Sequence, residues 1–329
     1  KVKIYSVAEL RTNYMSQRLD YLDVGKGIGI ILVILGHCQL GRVGNLHSVL
    51  YSFHMPLFFI ISGICYSNKY SFLSLATRRF RQMILPTIYF SLISLLVVDG
   101  LELQVTWWDW SKHLPFALWF LPVLYFAELI SWLICNKVKD RLCQAVVLLT
   151  LMLVPHLLTK CSIDLPYSVA AIPTATFFFV FGYTIKPFIL NWDKHLWMLA
   201  VLFAILNIGI VRYGHVSVEL ASGFISPVIV AEFAAFCGLF SCLAFSKAQA
   251  GGGGNSRFTQ LLIWFGRNSL CLMLVHQLIK TILDKYTEYM FSNDLLYLCF
   301  QFLGTIFLSA TLTILINNYI PILVGKRKV

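Results

Sequence analysis

Ten apolar runs fill most of this chain, at 24–41, 47–67, 83–99, 115–135, 142–159, 168–190, 195–212, 222–246, 260–283 and 295–319. A helix needs about 20 mostly apolar residues to cross a bilayer, so each run is of spanning length. What remains is too little for a water-facing domain. Charged residues make up 12% of the chain and hydrophobic ones 58%, whereas a soluble domain carries about 25% charged residues. The expected fold is all-α: a polytopic integral membrane protein of ten transmembrane helices, one domain over 1–329.

The basic residues give the orientation. With the N-terminus in the cytoplasm, 18 of the 26 Lys and Arg residues fall on cytoplasmic segments and six on outer ones, while Lys26 and Arg267 sit in or beside spans. This positive-inside pattern puts both termini in the cytoplasm. It also explains the net charge of +11 without a nucleic-acid partner; the expected surroundings are lipid. Trp107, Trp108 and Trp110, in the outer loop near 100–114, read first as an interfacial belt and second as a stacking surface for an acceptor. Residues 247–259, with Gly251 to Gly254, are expected to form a flexible cytoplasmic linker within the domain. No cleavable signal peptide is visible. The sequence begins at Lys1, so a start is expected to precede it, and the spans themselves would direct insertion. No strong internal repeat of the inverted-repeat transporter kind stands out. The nine cysteines are scattered, mostly in apolar runs, without a Cys-x-x-Cys. They are expected to be small buried hydrophobes, with neither a metal site nor a disulfide framework.

Ionisable residues inside spans are costly and are functional candidates by default. Here they are Lys26, His37, His54, Glu128, Glu232, Arg267 and His276. Counting along the spans puts all three histidines in the outer half of the membrane, where they could line one cavity. Each could equally do no more than bond a neighbouring carbonyl. Glu128 and Glu232 lie nearer the midplane, as partners for a basic residue such as Arg267 or as groups that tune a histidine. Lys26 and His37 are eleven residues apart, almost three turns, so they share a helix face with roughly 16 Å between their Cα atoms. Asp23 falls near the same face and can pair with Lys26. Gly25, Gly27, Gly29 and Gly36 keep the helix slim, so that a neighbour or a ligand can approach. Arg78-Arg79-Phe80-Arg81 reads either as a topology anchor or as a phosphate clamp.

Asp23-Val-Gly-Lys26-Gly followed by Leu35-Gly36-His37 resembles the first-span signature of acyltransferase family 3, a basic residue and a histidine with ten residues between. Phe53-His54-Met55-Pro56 through Ser62-Gly63 resembles the family's second-span motif, and Arg78-x-x-Arg81 its cytoplasmic arginine motif. Trp119-Phe120-Leu121 and Gly266-Arg267-Asn268-Ser269 with His276 match later signatures. The resemblance runs over about 18–280 and is sharpest over 20–85; the Lys-Gly-Ile-Gly run is most like the sugar O-acetylase branch.

That resemblance implies a ten-span membrane O-acyltransferase. It would move an acyl group, by preference acetyl, from cytoplasmic acetyl-CoA to a hydroxyl of a sugar or a lipid-linked glycan precursor. The expected location is the cell (inner) membrane; a homo-oligomer stays open, and no metal is expected. Some members carry a fused esterase-like domain. None lies within these residues, so the reaction would finish in the membrane or pass to a partner. Histidine suits the base because its ordinary pKa is near neutrality. The expected catalytic residues are therefore His37, with Asp23 and His276. Lys26, Arg78, Arg81 and Ser62 would hold the donor, its pantetheine arm threading up the glycine-rich face of the first span. His54, Trp119 and Asn268 would hold the acceptor. The competing reading is a secondary transporter or flippase for a polar, anionic substrate, which would also line a cavity with basic residues and histidines. A purely structural scaffold leaves three buried histidines unexplained.

Overall fold

The computed structural model describes residues 7–38, 46–101, 114–161, 163, 165–251 and 256–326. It is an all-α bundle with one small β-hairpin. The first helices are α1 (Val7–His37), α2 (Leu46–Cys65), α3 (Phe72–Arg79) and α4 (Leu85–Gly100). The chain between α3 and α4, Phe80–Ile84, is a single π-helical segment, a form common at functional sites. There follow α5 (Phe120–Lys137), α6 (Arg141–Lys160), α7 (Ile172–Asn191) and α8 (Leu196–Tyr213). A hairpin, β1 (Ser217–Glu219) with β2 (Phe224–Ser226), pairs antiparallel with Val218 opposite Ile225. Helices α9 (Val228–Gly251), α10 (Arg257–Arg267), α11 (Ser269–Thr287) and α12 (Asp294–Tyr319) complete the bundle.

Helices carry most of each of the ten apolar runs; the run at 222–246 opens on β2 before it enters α9, and three further corrections apply. Among the described residues, eight helical segments are long and apolar enough to cross a membrane, counting α3–α4 as one, or nine if the bent pair α10–α11 is counted as a span. The run at 260–283 is not one straight span: α10 and α11 meet at 81°, and α10, 11 residues long, reaches only about 16 Å. The first run belongs to a helix that starts at Val7 and ends at His37, so the histidine stands at the last turn rather than within the helix. The expected linker 247–259 is also shorter. Lys247–Gly251 close α9 and Arg257–Thr259 open α10, while Gly252 to Gly254 lie outside the described residues, as do Trp107, Trp108 and Trp110.

The helices form an inner and an outer layer. Of the apolar window of α2, 72% is buried, against 6% for α6; α2 is central and α6 faces lipid. The inner helices approach closely where side chains vanish. A Cβ on Gly27 would strike the Leu262 carbonyl, and one on Gly266 the Asp23 carbonyl, so α1 and α10 touch backbone to backbone. Gly63 and Gly182 join α2 to α7 in the same way. Of the nine cysteines only Cys38, Cys242 and Cys271 are buried, and four are exposed, so the expected buried role fits a minority of them.

Polar contacts tie one end of the bundle together. Lys186 donates to the Tyr66 carbonyl (3.1 Å), and Lys247 to the Ile189 carbonyl (2.6 Å) at the end of α7. Lys326 reaches Asn317 (2.7 Å), which donates to Asn268 (2.9 Å) beside Arg267. This is the basic end below.

Candidate active site

Two cavities lie along α1, one at each end of its polar face. The first, about 390 Å³, is lined by His37, Tyr51, His54, Trp119 and Gln277, with Ser168 and the hairpin residues Glu219 to Ser222. The second, about 460 Å³, is lined by Asp23, Lys26, Ser62, Arg79, Glu128, Arg267 and the first turn of α11. Met273 of α11 belongs to both linings, so this one residue borders both cavities.

The His37 cavity is built from rings. His37 Nδ1 lies 3.4 Å from the Tyr51 hydroxyl. The His37 and His276 rings are 5.3 Å apart. Tyr51 stacks on His47 at 3.8 Å and meets His54 edge-on at 4.8 Å. Backbone carbonyls fix two of the tautomers: His54 Nδ1 donates to Leu50 (2.6 Å), and His276 Nδ1 to Leu272 and Met273 (3.0 Å each). Nε2 of each then carries the lone pair. His276 Nε2 and Gln277 Oε1 are buried without a partner among the described residues, which leaves hydrogen-bonding capacity for a ligand at this end.

Ion pairs build the other cavity. Asp23 pairs with Lys26 (3.2 Å) and with Arg267 (3.3 Å), and Arg267 also binds Asp20 (2.9 Å). Arg79 pairs with Glu128 at 2.8 Å and donates to Gln82; Glu128 is 1% exposed. The break at Arg267–Asn268 turns the N-terminal turn of α11 toward this cavity, and a helix N-terminus favours anions.

The match to known proteins fits this geometry. The model of the acyltransferase domain family, acyltransferase family 3, matches residues 19–314. The chain belongs to this family. No curated protein and no solved structure matches it.

Most expected site residues of this acyltransferase line one of the two cavities. His37, His54 and Trp119 line the first, with His276 packed behind His37. Lys26, Ser62 and Asp23 line the second. Asp23 is fourteen residues before His37, roughly 21 Å along the helix, so it does not reach that imidazole. Arg78 and Arg81 line neither cavity. Arg78 is exposed over the Tyr70 ring, and Arg81 lines a small separate cleft with Thr77, Phe80 and Tyr125. The arginine that enters the cavity is Arg79. Asn268 lines neither cavity; it bonds the Trp264 carbonyl and Asn317 at the α10–α11 break. The glycine face of α1 is filled by protein: Gly25 faces Ile61, Gly27 the α10 backbone, Gly29 the Phe58 ring and Gly36 the Tyr51 ring. A donor arm therefore has no path along it. Glu128 pairs with Arg79 rather than with Arg267, and Glu232 is buried with no partner among the described residues.

Sequence reasoning missed Tyr51, Arg79, Glu219, Gln277 and Met273. Tyr51 had a usable signal, since it lies three residues before His54 and so on its helix face. Glu219 had none, because the hairpin that carries it forms no recognisable pattern.

Proposed function

We propose that this acyltransferase moves an acetyl group from acetyl-CoA, bound at the basic end, to a hydroxyl of a sugar or glycan precursor bound at the His37 end, in the cell (inner) membrane. The observation that carries this reading is the pair of cavities that share the lining residue Met273, one ionic and one rich in histidine. A thioester that reaches Met273 from the basic end meets a hydroxyl held at the other.

The chemistry needs a base for the hydroxyl proton and a route for that proton to the leaving thiolate. In the tautomer whose Nδ1–H donates to the Tyr51 oxygen, His37 has Nε2 free as base. The hydroxyl oxygen attacks the thioester carbonyl as Nε2 takes its proton. The tetrahedral intermediate expels the thiolate, and the imidazolium returns the proton to sulfur. Gln277 and His54, which line the same cavity, would orient the acceptor, and Trp119 would offer an apolar face. At the basic end Lys26, Arg79 and Arg267 already hold carboxylates, so binding of donor phosphates exchanges partners, aided by the N-terminus of α11. The exposed Arg78 and Arg81 would act outside that cavity, on approach.

The positive-inside pattern supports a cytoplasmic basic end, the side that holds acetyl-CoA. The test is binding and hydrolysis of acetyl-CoA by the purified protein. Saturable binding supports the enzyme, and its absence returns the cavities to transport.

A further inference from the structure

A third cavity, about 460 Å³, lies between the first turn of α2 and the end of α8, outside the candidate active site. Leu46, Val49, Ile208 and Val211 give it apolar walls, and Arg212, His215 and Ser48 give it polar atoms. No acidic residue lines it among the described residues. Neither Arg212 nor His215 pairs with a carboxylate among the described residues, and both are exposed. Arg212 stands in the last turn of α8, a helix whose Val201, Leu202, Ile205 and Ile208 are exposed apolar side chains. The cleft therefore joins a cationic rim to a lipid-facing apolar track.

It also adjoins the His37 cavity. Val216 lines the cleft and Glu219 the active cavity, three residues apart on an extended strand, about 10 Å. On α2, Ser48 lines one and Tyr51 the other, about 4.5 Å apart along the axis.

We propose that this cleft binds the phosphate of an anionic lipid, and that the acceptor is the polar group such a lipid carries into the His37 cavity; the second half rests on the acyl-transfer reading. Arg212 offers forked donors to the phosphate oxygens, His215 and Ser48 add N–H and O–H donors, and the acyl or prenyl tail lies along α8. A soluble phosphate ester would leave the apolar walls unused.

Native mass spectrometry of the purified protein tests the site without turnover. Dioleoyl phosphatidic acid should bind at least about tenfold more tightly than dioleoyl phosphatidylcholine, as a charge-assisted contact implies. Arg212→Ala with His215→Ala should erase that preference, whereas Arg212→Lys should keep most of it. Glycerol 3-phosphate should not compete. Unchanged phosphatidic acid binding by the double variant overturns the site, and competition by glycerol 3-phosphate overturns its lipid nature. For the second half, the wild type should acetylate a prenyl-phosphate-linked hexose in preference to the free hexose, and equal turnover of the two overturns it. His37→Ala should bind phosphatidic acid as the wild type does, so that loss of transfer there and loss of lipid binding in the double variant are separate failures.

Discussion

The two cavities that Met273 borders are built on opposite principles. In the basic cavity each lining cation already has a carboxylate: Lys26 and Arg267 share Asp23, and Arg79 holds Glu128. At the other end the lining is mostly uncharged groups and titratable rings, with one carboxylate, Glu219, and two buried atoms, on His276 and Gln277, have no partner among the described residues. The first arrangement is stable alone and must be opened by an anionic ligand. The second is incomplete alone, since a buried polar atom without a partner costs about 1–3 kcal/mol, and a polar ligand completes it. The contrast suits a protein that binds a charged donor at one end and reacts it with a hydroxyl at the other.

The largest effect expected is at His37. In His37→Ala, acetyl transfer should fall by about 10²–10⁴-fold with acetyl-CoA binding retained, because the ionic cavity lies about three turns away. Single-turnover assays with the purified variant measure both, and near-normal turnover would remove the functional contrast between the ends. The wild-type rate should rise with pH until the imidazole is neutral, since only that form accepts a proton. His54→Ala and His276→Ala should be milder.

Next is Arg79. Removing it leaves Glu128 as a buried, uncompensated carboxylate, a loss of about 3–5 kcal/mol. Arg79→Ala should therefore unfold at lower temperature and lose acetyl-CoA affinity, while Arg79→Ala with Glu128→Gln recovers the stability but not the affinity. Thermal melts and ligand titrations separate the two. Arg78→Ala and Arg81→Ala should weaken donor binding less than Arg79→Ala; the reverse order would move the phosphate site out of the cavity.

Tyr51→Phe should act more gently. It removes the hydroxyl that faces His37 Nδ1 and so loosens the tautomer, lowering kcat by about tenfold, the effect of roughly one hydrogen bond, with donor KM unchanged. A fall in donor affinity instead would show that the two ends are not independent.

The smallest effect is expected at Asn268. Asn268→Ala should lower stability by about 1 kcal/mol with little change in activity per folded molecule. A raised acceptor KM would return Asn268 to substrate binding.

Much of this was legible before any coordinates. The spacing of Lys26 and His37 implied one helix face, and the two side chains do line cavities in register on α1. Asp23 does pair with Lys26. The arginine run misled because sequence cannot tell which of three arginines turns inward. The π-helical segment at Phe80–Ile84 departs from the α-helical period just after Arg79, and periodicity arguments assume that period. The glycines of α1 misled for a related reason. A missing side chain announces a close approach but not by what, and here protein fills the space.

The sequence by itself determined that the chain lives in a membrane, that helices carry most of each of the ten apolar runs, and that it belongs with acyltransferases. Those properties follow from local hydropathy, charge and short-range spacing. Only the tertiary structure decided that His37, Tyr51, His54 and His276 form one cluster, that Arg79 rather than its neighbours enters the ionic cavity, and that a hairpin after α8 brings Glu219 to the histidines. Such meetings depend on how helices far apart in sequence rotate and pack against each other, and backbone contacts such as Gly27 on Leu262 set that rotation.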